Sequence, residues 1–472
     1  MILSNLPLLM TGAFLLFTLA AGLYFSKKTT SLKEYAVGNK NFATATLVAT
    51  VLATAFGGGG LIRNVEQVHQ QGLYWIFFAL FATAISIWIL SPLASRMSSF
   101  MRNLSMAETI GNVYGRIPRV ITAISSIITA IASVAIQIKV ISLAISMCTD
   151  MVDPSIMTII VTLVLIFYST FGGIRAVTYT DALQFITFLA VIPVLAWLMF
   201  QKIELSIGDI VAFLKTQEKF QLSNVFSLNT SLINIIVLIL AGIVSEIRPS
   251  TIQRIYMASS PIQAKRAFIY SSILSFFIIM FITLVGIAIF VIGPDLPMED
   301  VWKYIMNNLA PFFKGLVCIS LLSLTMSTAD SELNSCVVLI AHDIVESIRG
   351  KQIVTSNGLG LVRVTSLIVG LSAMVLTFYC KGLLELMQLS FALSIPVITA
   401  PFILAVFGFR GASTTALLGM VTGTVTIIAW NTWVAPKTNI DGSFFCMLAN
   451  GIAMMVAHYS RPQRRYRMDE RG

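Results

Sequence analysis

Charge is what this chain has least of. Only 11% of its 472 residues are Asp, Glu, Lys or Arg, while 57% are hydrophobic, and a soluble domain carries about 25% charged residues. That scarcity excludes an ordinary soluble fold. Histidine is rare too: the three in the chain are isolated from one another, which leaves neither a zinc site nor a His-based catalytic set to assemble. Five cysteines (Cys148, Cys318, Cys336, Cys380, Cys446) are scattered without CxxC or metal spacing and read as apolar packing residues. With no nucleophile and base paired anywhere, no enzyme and no organic cofactor are expected. Residues 1–25 lack a basic start and a small-residue cleavage site before Lys27, so they read as a retained helix and not as a cleaved signal. No Pro- or Ser-rich linker divides the chain.

What the sequence has in abundance is long apolar stretches. About thirteen are long enough to cross a bilayer, which makes this an all-α, multi-pass integral membrane protein of one domain. The net charge of +10 would draw a soluble protein to nucleic acid, but here the charges sort by side. With the N-terminus outside, Lys27, Lys28, Lys33, Lys40, Arg96, Arg102, Arg116, Arg119 and the arginines after Tyr459 fall inside. That places about 21 basic residues inside against about seven outside. The excess therefore sets topology, with the C-terminus in the cytoplasm. Membrane lipid is the expected surrounding, nucleic acid is not expected as a partner, and no obligate protein partner is evident.

Two of the stretches are interrupted where a membrane helix should run on. Residues 43–62 contain Gly57-Gly58-Gly59-Gly60, and residues 232–252 contain Glu246, Arg248 and Pro249. Glycine weakens a helix and proline removes a donor, so each stretch is expected to unwind midway and free backbone polar groups at membrane depth. Such backbone survives only where it is buried in protein or lines a cavity. Five segments separate the two breaks, an odd spacing that inverts one relative to the other, as in inverted-repeat transporters with their site at the midplane. The expected division is a leading helix and loop (1–42), a first repeat (43–201), a second repeat (231–408), and two trailing helices with a basic tail (413–472).

Within the ninth stretch, Leu324, Ser327, Thr328, Asp330, Ser331, Asn334 and Ser335 gather on one helical face. A polar stripe at that depth faces protein or water. It serves either as interhelical glue or as a set of oxygen ligands for a hard cation. Carbonyls freed around residues 52–56 favour the cation.

The string GGIRAVTYTDALQF (172–185) resembles the signature of the sodium:solute symporter family, and MSTADSELNSCVVLIAHDI (326–344) is similar to that family's sodium-site helix. LKEYAVGNKNF (32–42) resembles its first cytoplasmic loop, and residues 254–258 match its pattern after the second broken helix. The resemblance implies a 5+5 core like that of the bacterial leucine transporter, with sodium as the coupling ion. By position, it implies sodium ligands at the Leu52, Ala55 and Leu324 carbonyls and the Ser327 and Thr328 hydroxyls, with Asp181 on the intracellular ion path.

On the solute side, TAFGGGGLIRNVEQ (54–67) is somewhat like the glycine-rich segment of choline transporters, but Phe56 stands where those carry a tryptophan. This argues against a quaternary ammonium, although Phe still makes a weaker cation–π contact. Arg248 replaces a neutral sugar contact, which argues against a sugar. Lys139 lies in mid-helix and needs an acidic partner, water or an anionic ligand. It either pairs with Glu246 or Asp330, or it faces the cavity with Arg248 and binds a carboxylate. Candidate solute contacts are therefore Phe56, Gly58, Lys139, Glu246, Arg248 and Asp330. The reading is a sodium-driven symporter of a bacterial inner membrane that imports a small organic solute such as a carboxylate or amino acid. The alternative is a transporter-derived sensor that signals through a separate partner.

Overall fold

The computed structural model describes residues 5–26, 31–147, 153–225, 230–349, 357–380, 386, 394–438 and 440–460. Lys27, Lys28, Cys148, Lys351, Lys381, the arginine-rich tail and most of residues 385–393 lie outside the described residues.

The described chain is helical from end to end. A leading helix α1 (Leu6–Ser26) and a short α2 (Leu32–Val37) precede the first interrupted stretch, which is two helices, α3 (Thr44–Ala55) and α4 (Gly58–Gln71). These are followed by α5 (Leu73–Arg96), α6 (Met106–Tyr114), α7 (Arg116–Ser146), α8 (Pro154–Phe200) and α9 (Ile207–Thr216). The second interrupted stretch is α10 (Thr230–Ser245) with α11 (Pro249–Met257). Beyond it run α12 (Pro261–Ile292), α13 (Val301–Asn307), α14 (Pro311–Val338), α15 (Asn357–Tyr379), α16 (Ala400–Val406), α17 (Ser413–Ala429) and α18 (Ser443–Tyr459).

Both breaks are where the sequence puts them. The chain bends by 62° between α3 and α4 and by 55° between α10 and α11. Glycine makes the first possible, since Gly57 and its neighbours add no side chain to the turn. Pro249 makes the second, occupying the first turn of α11 where its missing N–H costs nothing. Eight helices are long and apolar enough to cross a membrane, two more spans arise from the bent pairs, and three shorter apolar helices complete the set among the described residues. The expected thirteen segments are thereby accounted for. One of the divisions is hidden inside α8, where Gly173 takes φ 58° and separates two spans. A Cβ there would meet the Tyr35 ring at 2.8 Å, so the glycine serves both the turn and the close approach of α2.

Packing centres on three long helices. α14 lies against both α7 and α8, α12 packs along α5, and α3 is held between α8 and α12. The leading α1 rests on the outside of α8 and α14, and α17 pairs with α18 at the far end. Cys336 and Cys446 are buried and free, as packing residues should be, and Cys380 is buried. Cys318 departs from that expectation because it is disulfide-bonded.

Candidate functional site

The end of α3 meets the middle of α14 at a knot of oxygens. Helix α3 closes at Phe56, whose N–H reaches the Leu52 carbonyl at 2.9 Å, and beyond that point the backbone turns extended (φ −95°, ψ 102°). The carbonyls of the last turn then have no helical partners ahead of them. Ser327 Oγ donates to the Ala53 carbonyl at 2.8 Å and to the Leu324 carbonyl at 3.1 Å. Thr328 Oγ1 lies 3.4 Å from the Ala53 carbonyl, 3.3 Å from that of Phe56 and 3.1 Å from that of Leu324. Five oxygens therefore converge from two elements, in a region where Ser327 and Leu324 are fully buried.

Of the predicted ligands, Leu324, Ser327 and Thr328 are brought together. The carbonyl positions on α3 need correcting by one residue. Those facing α14 belong to Ala53 and Phe56, whereas Leu52 spends its carbonyl on the helix-closing bond from Phe56. No contact joins the Ala55 carbonyl to the hydroxyls among the hydrogen bonds of the described residues.

One helical turn further along α14, a second polar centre is built around Arg254, which is 1% exposed. It pairs with Asp181 at 3.3 Å, donates to Thr54 Oγ1 at 2.9 Å and also donates to Ser331. Thr50 donates to the same Asp181 carboxylate, and Thr54 and Ser331 lie 3.1 Å apart. Asp181, expected on an ion path, is thus fully buried in an ion pair. The sequence counts Arg254 among the inside basic residues and as the start of the 254–258 pattern, with no part in a site. Its visible signal was a guanidinium placed within a short apolar stretch behind a broken helix. Asp330 lies in this same buried seam and does not line the cavity at the breaks.

Arg248 caps the start of α11 and turns away from the break. Its guanidinium lies 3.5 Å from Glu332, donates to the Thr54 carbonyl at 3.1 Å and reaches Thr251 at 3.3 Å. Ser250 adds a 2.7 Å bond to the same Glu332 oxygen. Arg248, expected to bind a solute carboxylate, has a carboxylate of the protein beside it and is not in the lining of the cavity at the breaks. Lys139 is likewise elsewhere. It borders a separate cavity of about 480 Å³ with Ser142, Ser155, Thr158 and Thr377, among α7, α8 and α15. Gly58 packs against α14: a Cβ there would lie 2.3 Å from Thr325 Cγ2, so the glycine lets α4 approach that helix.

A cavity of about 160 Å³ opens where the two breaks face one another. Phe56, Gly57 and Gly60 come to it from the first break, Ser245 and Glu246 from the second, and Phe78, Thr83 and Ser86 from α5. Phe56 and Glu246 are therefore the two solute candidates that the structure places together.

Two bent spans whose breaks meet at one cavity, with a cluster of buried oxygens beside the first, have the form of a secondary transporter. Residues 35–423 match the model of the sodium:solute symporter family, and the chain belongs to that family. It is 21% identical to the sodium/sialic acid symporter NanT of Aliivibrio fischeri over 95% of this chain and 92% of that protein. It is 23% identical to a sodium/proline symporter of Staphylococcus aureus over 92% of this chain and 88% of that one. Among solved structures, a Na+-coupled sialic acid symporter in a substrate-bound outward-open state superposes with a TM-score of 0.84, at 19% identity, covering 96% of each chain. The protein is a multi-pass membrane symporter that couples sodium to solute import, with the fold of the bacterial leucine transporter.

Proposed function

We propose that the coupling sodium binds between α3 and α14, held by the carbonyls of Ala53, Phe56 and Leu324 and the hydroxyls of Ser327 and Thr328. The convergence of these five oxygens carries the reading, since a hard cation takes oxygen ligands and none of the five comes from an ion-paired side chain. Sodium there ties the end of α3 to α14 and so fixes the first break, which also lines the cavity. Solute and sodium then strengthen each other's binding by the same factor.

The repeats run over residues 43–201 and 231–408, flanked by 1–42 and 413–472. The membrane is the bacterial plasma membrane, with the N-terminus outside, an orientation supported by the basic residues at Arg96, Arg102 and Arg116. A cysteine at Ser223 labelled by an impermeant thiol reagent from inside only would reverse that orientation.

Purified protein in proteoliposomes tests the ion site, using proline and sialic acid, the solutes named for the relatives, as first probes. Wild type should accumulate its solute under a sodium gradient and not under a potassium gradient. Ser327→Ala and Thr328→Ala should each raise the sodium concentration for half-activation by roughly 5- to 150-fold, the equivalent of about 1–3 kcal/mol for a lost buried partner. Unchanged sodium activation in both variants eliminates this site.

A further inference from the structure

The cavity at the two breaks is lined by one formally charged side chain, and that charge is negative. Glu246 stands at the second break, its Oε2 is buried without a hydrogen-bond partner, and it makes no ion pair within 4.0 Å among the described residues. Neither Lys nor Arg lines the cavity. The two guanidiniums nearby are taken, Arg248 by Glu332 at 3.5 Å and Arg254 by Asp181 at 3.3 Å.

Of the residues proposed to hold sodium, only Phe56 lines this cavity, and it brings a carbonyl and no positive charge. Leu324, Ser327 and Thr328 belong to α14 and are absent from the cavity lining. A carboxylate held at membrane depth is costly unless something of opposite charge compensates it. The neighbouring polar groups point to the same deficit. Ser86 already donates to the Ala82 carbonyl at 2.5 Å, Ser245 to that of Gly242 at 2.8 Å, and the Asn64 amide to that of Gly60 at 2.8 Å. With those three donors committed and no Lys or Arg in the lining, the site is short of positive charge. The rings of Phe56 and Phe78 add faces that attract a cation.

We infer that the solute carries a protonated primary or secondary amine, which donates to Glu246 Oε2 while its cationic face lies against Phe56. This rests on the symporter reading above and narrows its solute. The cavity of about 160 Å³ is well below the roughly 300–1,000 Å³ of pockets that hold drug-sized ligands, so the amine is compact. A solute whose only charge is a carboxylate meets an unpaired carboxylate instead, and like charges repel.

Thermal shift and direct binding on the purified full-length protein, with and without sodium, test this. The panel consists of compact amines and their nitrogen-free counterparts: L-proline against tetrahydrofuran-2-carboxylate, L-alanine against propionate, and cyclopentylamine against cyclopentanol, with N-acetylneuraminate added. At least one amine should bind in sodium, and its counterpart should not. Glu246→Gln, which keeps the shape and removes the charge, should weaken that amine at least tenfold while leaving the stabilisation by sodium alone unchanged. Glu246→Asp should retain part of the affinity and shows that loss in the Gln variant is not misfolding. Three results overturn the inference: binding of a nitrogen-free member or of N-acetylneuraminate in preference to every amine, equal amine affinity in Glu246→Gln, or no amine response anywhere in the panel. In each case stabilisation by sodium, and its loss in Thr328→Ala, is read separately, so the solute assignment fails without the ion site. Loss of sodium stabilisation in Glu246→Gln would instead make Glu246 part of a cation site and also overturn it.

Discussion

Two side chains separated by one residue, Glu246 and Arg248, go opposite ways. In sequence they look like a pair, although the sequence offers Glu246 to Lys139 or the solute and Arg248 to the solute. The break separates them: the Arg248 N–H reaches back to the Glu246 carbonyl at 3.0 Å, while its guanidinium turns to Glu332 on α14. Arg248 is therefore expected to stabilise the fold by tying α11 to α14 and α3. Removing one member of a largely buried pair strands the other charge, a loss of about 3–5 kcal/mol. Arg248→Ala should lower the melting temperature and membrane abundance, and adding Glu332→Gln should recover much of both. Adding Glu246→Gln should not. Recovery by Glu246→Gln in place of Glu332→Gln would restore the sequence-based pairing. The sequence could not have settled this, because Glu332 lies 84 positions away and only the crossing of α11 with α14 brings it near.

At the scale of elements, the interrupted helices were legible because glycine and proline act locally. Their register was not. Whether Leu52 or Ala53 presents its carbonyl depends on where α3 makes its last hydrogen bond, and helix ends differ by a residue or two for reasons of cap geometry that composition does not encode. The hydroxyls of Ser327 and Thr328 were easier, since they sit inside a continuous helix whose faces follow from its period. Gly58 illustrates what a glycine-rich run conceals. The break falls at Phe56 and Gly57 and the other three glycines open α4, where Gly58 is confined by Thr325 and by the Leu321 carbonyl while nothing lies within 4 Å of a Cβ at Gly60. Gly58→Ala should push α4 from α14 and cost about 1–3 kcal/mol by overpacking, read as a lower melting temperature. Gly60→Ala should leave the melting temperature unchanged or slightly raised. Equal tolerance at both positions would mean that α4 does not pack on α14 as described.

For the molecule as a whole, membrane class, segment number and family followed from apolar length, charge scarcity and four ordered motifs. The charge distribution at the centre did not. Four buried or half-buried acids (Asp181, Glu246, Asp330, Glu332) surround two guanidiniums, Arg248 and Arg254. In sequence these residues are spread over 152 positions, from Asp181 to Glu332, and only the packing of α3, α8, α11 and α14 reveals which charges answer which. An acidic centre suits a protein whose cargo includes sodium, and the proposed ion site and the cavity share the end of α3, through which linkage between ion and solute is expected.

The sodium site at the α3–α14 crossing is the claim on which the rest depends, and equilibrium binding of radioactive sodium to the purified protein tests it most directly. Wild type should bind sodium saturably without solute, and more tightly when its solute is present. Thr328→Ala, folded to the same melting temperature in sodium-free buffer, should lose that binding by tenfold or more. Saturable sodium binding of equal affinity in wild type, Ser327→Ala and Thr328→Ala would contradict the account.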